Sequence, residues 1–98
     1  MVKDLMDFIE GIYILGPNLV NGKAYWIQEG GSVALWYTND GEGNWNIGNL
    51  ENLGSGNVGL FCFDESDVPI ETITWLYNDG NEWVETTDVS ILPAKGIL

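Results

Sequence analysis

Hydrophobic positions along the chain change period once, near the N-terminus. Val2, Leu5, Met6 and Ile9 recur at i, i+3, i+4 and i+7, which places them on one face of a short helix over residues 1–10. Gly11 ends that pattern, and a helix so short persists only by packing its stripe on a larger body. From Ile12 onward apolar residues alternate or cluster in short runs, which predicts strands over 12–15, 23–28, 33–38, 44–47, 58–63, 71–77, 82–85 and 89–92. The connections carry turn chemistry: Asn21-Gly22, Gly30-Gly31, residues 39–43 and residues 78–81 all accept positive φ. Sequential antiparallel pairing follows. The expected fold is mostly β: a small antiparallel meander, as a sandwich or a partly open barrel, with a short N-terminal helix.

Two stretches echo one another. Trp36-Tyr37-Thr38-Asn39-Asp40-Gly41 leads to Trp45, and Trp75-Leu76-Tyr77-Asn78-Asp79-Gly80 leads to Trp83. Each reads as an aromatic strand, an Asn-Asp-Gly turn and a returning Trp. The echo fits either a repeat or two independent uses of a good hairpin turn. Residues 48–59 form the longest stretch poor in apolar side chains and are the expected mobile loop, residues 64–69 form a second loop, and Pro93 closes the last strand before a tail.

Length adds a bound. With 98 residues, the chain is expected to form one domain over 1–98, since two would each be too small to bury a useful core. Five Trp, four Tyr and three Phe supply large buried areas from few positions. Against 15 acidic residues stand only Lys3, Lys23 and Lys95, a formal charge of -12. No basic stripe exists to neutralise phosphates, so direct nucleic-acid binding is not expected. The acidity favours solubility and cationic partners instead. No apolar run reaches the roughly 18–20 residues that span a bilayer, and no basic stretch precedes an apolar one at the N-terminus, so no membrane insertion is expected and no export signal is visible, while secretion as part of a longer protein stays open. Cys62, between Phe61 and Phe63, is the only cysteine and is expected to be a buried thiol.

The order Asn21-Gly22-Lys23, Tyr25, Leu35-Trp36-Tyr37, Trp45-Asn46-Ile47-Gly48, Pro69, Trp75, Trp83 and Asp88-Val89 resembles a short Trp-rich β-repeat found in multidomain proteins of marine invertebrates and protists. The resemblance covers residues 16–92 and is carried by aromatic and glycine spacing. It implies a binding or structural unit without assigned chemistry. The chain departs from the tandem arrangement of that module, standing nearly alone with an added helix.

Candidate chemistry is limited by what the chain lacks. It has no histidine to act as the base of a Ser-His-Asp or Cys-His nucleophile, and one Cys without His leaves only oxygen ligands, which suit calcium or magnesium rather than zinc. Fifteen acids make some close carboxylate pair inevitable, but nothing marks one for glycoside hydrolysis. Asp64, Glu65 and Asp67, with Glu71 beyond, are the densest acidic cluster and the candidate ligands of a hard cation, although the alternate spacing and glycine of a calcium loop are missing. No enzyme activity and no cofactor are expected.

The tryptophans carry the stronger signal, because an aromatic face left exposed on a sheet stacks on sugars or receives anchors from a protein. The candidate ligand-binding residues are Trp26, Trp36, Trp45, Trp75 and Trp83, each weighed against core packing. Alternation over 33–37 puts Val33, Leu35 and Tyr37 on one face and Ala34 and Trp36 on the other, so one of two apolar faces is expected to be partly exposed. The leading expectation is a noncatalytic module that recognises a protein or glycan through exposed aromatics and acidic loops. Two alternatives stand beside it: an acidic mimic of nucleic acid that inhibits a basic protein, and a structural subunit that self-associates as a homo-oligomer.

Overall fold

The computed structural model describes residues 7–39, 43–56, 58–64, 66 and 74–91. Seven strands, β1 (Tyr13–Val20), β2 (Lys23–Gln28), β3 (Val33–Thr38), β4 (Asn44–Asn49), β5 (Leu60–Phe63), β6 (Trp75–Asn78) and β7 (Trp83–Thr86), form one antiparallel sheet in chain order. The meander is therefore a single open sheet, with β1 and β7 at its two edges. Turn residues set this order locally. Asn21 and Gly22 both take positive φ, 54° and 87°, the pattern of a two-residue turn whose twist matches its flanking strands. The Asn21 side chain then donates to Tyr37 O at 2.8 Å and to Gly54 O at 3.2 Å, tying the turn to two distant segments.

Strand β1 runs further than the sequence pattern predicts, through Gly16 and Pro17, with a register shift between Leu15 and Leu19. An edge strand tolerates Pro because one side of its ladder is unpaired. Gly16 is required by close approach: a Cβ there would lie 2.3 Å from the Tyr25 ring. The expected eighth strand is not formed over its described residues 89–91; Val89 is nevertheless buried and Ile91 packs against the same core, so apolar positions read as strand serve as plugs. Of the predicted N-terminal helix, residues 1–6 lie outside the described residues and residues 7–9 make a single helical turn with Ile9 buried. That turn is held by side chains: Tyr13 Oη donates to Ile9 O at 2.6 Å, and Gln28 Nε2 donates to Phe8 O and Glu10 O. Burial pushes the Tyr13 phenol up to about 12.

The sheet buries both faces of its centre. On the inner face Leu35, Tyr37, Trp45, Leu60, Trp75 and Tyr77 belong to one cluster, against which Tyr13 from β1 and Val84 from β7 also pack. Large rings fill the interior: Trp45 lies 6.1 Å from Trp26 and 5.6 Å from Tyr37, centroid to centroid. Each fully buried indole removes about 150–250 Å² from water, worth roughly 4–6 kcal/mol. Cys62 lies in this cluster with no exposed surface.

On the outer face Tyr25, Ala34 and Trp36 form a second cluster, covered by Leu50, Leu53 and Val58. The cover comes from the stretch expected to be mobile. It starts with a 3-10 turn (Leu50–Asn52) and is fastened by Trp36 Nε1, which donates to Ser55 O at 2.9 Å. All six residues of β3 are therefore buried, and neither face of that strand is left open, contrary to the sequence expectation. Composition alone does not reveal this cover, since three spaced apolar residues among Asn, Gly and Ser suffice to pack on an indole.

Three indoles share full burial but differ in satisfaction. Trp36 Nε1 and Trp45 Nε1 have acceptors, the latter Ser66 O at 2.8 Å, whereas Trp75 Nε1 is buried without one. Trp45→Phe gives up a hydrogen bond along with volume, while Trp75→Phe removes an unpaired donor along with the same volume. We expect Trp45→Phe to lower unfolding free energy by about 1 kcal/mol more than Trp75→Phe, measured by urea denaturation. Equal losses would contradict the difference in pairing.

Candidate aromatic recognition face

Beyond the covered half, the outer face of β5, β6 and β7 is built by simple alternation. In β5, Leu60 and Cys62 point inward, leaving Phe61 half-buried and Phe63 exposed. In β6, Trp75 and Tyr77 point inward, leaving Leu76 and Asn78 outward. Register then carries the face onto β7, where Asn78 pairs with Trp83 and Leu76 with Glu85. Phe61 is opposite Leu76 on its other side. The outward positions are thus Phe61, Phe63, Leu76, Asn78, Trp83 and Glu85.

Three of these are aromatic and touch. Phe61 stands at the centre, 4.7 Å from Trp83 at an interplanar angle of 83° and 5.3 Å from Phe63 at 88°. Edge-to-face pairs of this kind satisfy the ring quadrupoles and fix the rings relative to one another. Trp83 keeps 42% and Phe63 57% of its surface exposed. A polar strip separates this patch from the covered Trp36 cluster: buried Asn46 donates through Nδ2 to Trp36 O and to Thr38 Oγ1, at 3.2 and 3.1 Å.

The turn that delivers Trp83 is held by its own side chains. Asn78 Oδ1 accepts from the Gly80 N–H at 2.8 Å, and Asp79 Oδ1 accepts from the Asn81 and Glu82 N–H groups, both at 2.9 Å. The backbone N–H groups of Glu82 and Asn81 hold the Asp79 carboxyl below its usual range. Gly80 supplies the positive φ of 104° that the turn demands.

The five tryptophans expected as ligand-binding candidates are thus distributed across the fold. Trp45 and Trp75 lie in the inner core with no exposed surface, Trp36 is equally buried in the outer cluster, and Trp26 is half-buried against the inner core. Only Trp83 of the five presents a large exposed indole. The hairpin echo does not survive as a structural repeat, since Trp36 faces outward and Trp75 inward, while Trp45 faces inward and Trp83 outward. Phe61, Phe63 and Glu85 were not singled out from sequence; within Leu60-Phe61-Cys62-Phe63 every residue is apolar, so no contrast shows which pair faces out.

Of the acidic candidates, Glu65 and Asp67 lie outside the described residues, as does Glu71. Asp64 is half-buried and its Oδ1 accepts from the Ser66 N–H at 2.8 Å, the geometry of an Asx turn. Among the described residues no three His, Cys, Asp or Glu side chains group as metal ligands do, and no helix is long and apolar enough to cross a membrane.

Compared with protein-family models, curated proteins and solved structures, the chain matches none. The resemblance to the Trp-rich β-repeat rests on the residues that carry it.

The lowered Asp79 pKa gives the Trp83 turn a defined pH dependence. A carboxyl depressed in the folded state adds stability that is complete above its unfolded pKa and is lost as pH falls through the folded value. Asp79→Asn keeps a turn acceptor while removing that titration. We expect its denaturation midpoint to fall below that of the parent protein at pH 6 and the gap to close as pH drops below about 4. A gap independent of pH would dismiss the charge as the cause.

Proposed function

We propose that the protein is a noncatalytic recognition module and that the Trp83–Phe61–Phe63 face is its contact surface for a protein or glycan. The observation that carries this reading is the three-ring patch on the uncovered half of a sheet whose other outer half is sealed. Leaving rings of this size in water forgoes the burial that the same sheet gives Trp36, Trp45 and Trp75, and exposed aromatic clusters mark contact surfaces. The edge-to-face packing around Phe61 holds the patch in shape before a ligand arrives, which lowers the ordering cost of binding.

The test compares Trp83→Ala and Phe63→Ala with Leu19→Ala, which removes an even more exposed apolar side chain elsewhere. Calorimetric titrations use neutral hexasaccharides (cellohexaose, chitohexaose) and synthetic decapeptides of basic, acidic and neutral composition. Trp83→Ala is expected to weaken whichever class binds by about tenfold or more, and Leu19→Ala to leave it unchanged. Binding that survives both aromatic substitutions would place recognition elsewhere.

A second reading, self-association through β1, is favoured by a separate observation. Ile14, Leu15 and Leu19 of this edge strand, with Phe8 and Ile12 before it, are large and exposed, and β1 carries no charged residue in a chain of net charge -12. An uncharged apolar edge invites a second copy. Sedimentation velocity is expected to show a dimer that tightens with added salt, as the mutual repulsion of acidic chains is screened, and that Leu19→Gln weakens. A monomer at every salt concentration would dispose of this reading.

A further inference from the structure

Resting on the recognition reading above, we infer that the aromatic face takes a basic segment of a partner protein, with one guanidinium or ammonium group over the Trp83 indole and paired with the Glu85 carboxylate. Two features of the face point to this chemistry, and a contact elsewhere in the molecule gives a precedent for it. Trp83 and Glu85 are two residues apart on β7 and project from the same face, which sets them roughly 7 Å apart along the strand. A cation with an aliphatic stem spans that distance, lying on the ring and reaching the carboxylate.

Among the described residues the electrostatic surroundings have one sign. Glu82 precedes Trp83, Asp79 sits in the turn before it, Asp64 follows Phe63 and Asp88 follows β7. Strands β5, β6 and β7 carry no Lys or Arg. Carboxylates beside ring faces, whose quadrupoles are themselves negative, attract cations and repel phosphates and acidic sugars. A neutral sugar would stack on the indole and donate hydroxyl hydrogen bonds to the acids but would leave their charge uncompensated, and a purely apolar anchor would have to desolvate them. Charge complementarity therefore selects a basic protein segment over a glycan.

The molecule already contains a cation over an aromatic ring elsewhere. Lys23 Nζ lies 4.8 Å from the centroid of the Tyr37 ring, within the range of cation–π attraction. Arginine is favoured over lysine at Trp83 because its planar group stacks on an indole and bonds a carboxylate through two N–H groups at once.

The test must separate this contact from diffuse attraction to an acidic protein. A decapeptide of alternating arginine and serine is titrated against the full chain, beside its citrulline isostere, which keeps the planar shape and two N–H groups side by side but replaces one NH2 by oxygen and carries no charge. The variants are Trp83→Ala, Glu85→Gln and Glu51→Gln, the last removing the same charge from the 3-10 turn over the Trp36 cluster; circular dichroism checks that each is folded. We expect the arginine peptide to bind, the citrulline peptide to bind at least about tenfold more weakly, and Trp83→Ala and Glu85→Gln each to cost about five- to tenfold. Glu51→Gln should cost less than about twofold.

Equal effects of Glu85→Gln and Glu51→Gln, or arginine binding untouched by Trp83→Ala, overturn the inference by showing general charge attraction. Absence of arginine-peptide binding overturns it as well. Should a neutral hexasaccharide bind through Trp83 while the arginine peptide does not, the inference fails and the recognition reading stands with a glycan ligand. If neither the hexasaccharides nor any decapeptide responds to Trp83→Ala, both fail.

Discussion

A single sheet has two faces, and the burial of strand β3 on both of them is the constraint on which the rest of this structure depends. Val33, Leu35 and Tyr37 are enclosed on one side by apolar side chains, aromatic and aliphatic, that arrive from every other strand and from the segments flanking the sheet. Ala34 and Trp36 are enclosed on the other side by a loop rather than by a second layer. The inner cluster supplies most of the apolar area and explains why β1 and β7, at opposite edges, send side chains to one core. The outer cluster is small, and the Trp36 indole makes it possible by serving both as the surface to be covered and as the donor that fastens its cover.

The reach of that cover divides the outer face. Leu50, Leu53 and Val58 extend over β2, β3 and the adjoining end of β4, and Asn46 with Thr38 marks the border by satisfying polar groups among themselves. Past the border the same alternation that produces a core on the inner side produces exposed rings on the outer side. Exposure of Phe63 and Trp83 therefore needs no special local conformation. It follows from strand pairing continuing past the end of the lid, and the edge-to-face contacts around Phe61 convert adjacent rings into a fixed surface.

Much of the fold was legible. Asn-Gly, Gly-Gly and Asn-Asp-Gly turns placed the hairpins, and β2 and β3 fall where alternation puts them, because their turns are short and leave no freedom of register. What was not legible depends on three-dimensional coverage. The Gly- and Asn-rich stretch after β4 reads as loose because composition does not reveal that three apolar side chains will meet one indole. Val89 and Ile91 read as strand because a buried plug and a buried strand share the same apolar spacing. For the candidate face, Trp83 was among five equivalent expectations; sequence cannot rank them, since which face a Trp takes is fixed by its place relative to the closing pair of its hairpin. Phe61 and Phe63 were hidden by lying in a run apolar throughout.

The two Asn-Asp-Gly hairpins show what that dependence implies. In the first, five residues separate the closing pair Thr38 and Asn44; in the second, four separate Asn78 and Trp83. Both closing pairs face outward, but Trp83 belongs to its own whereas Trp45 lies one residue past its own, and that single offset is the difference between an indole that becomes scaffolding and one that becomes a sensor, with hardly any change in the wording of the segment. Evolution acting on such a chain can therefore retune what it reads through one-residue shifts of strand register at a turn, leaving the composition of its strands intact.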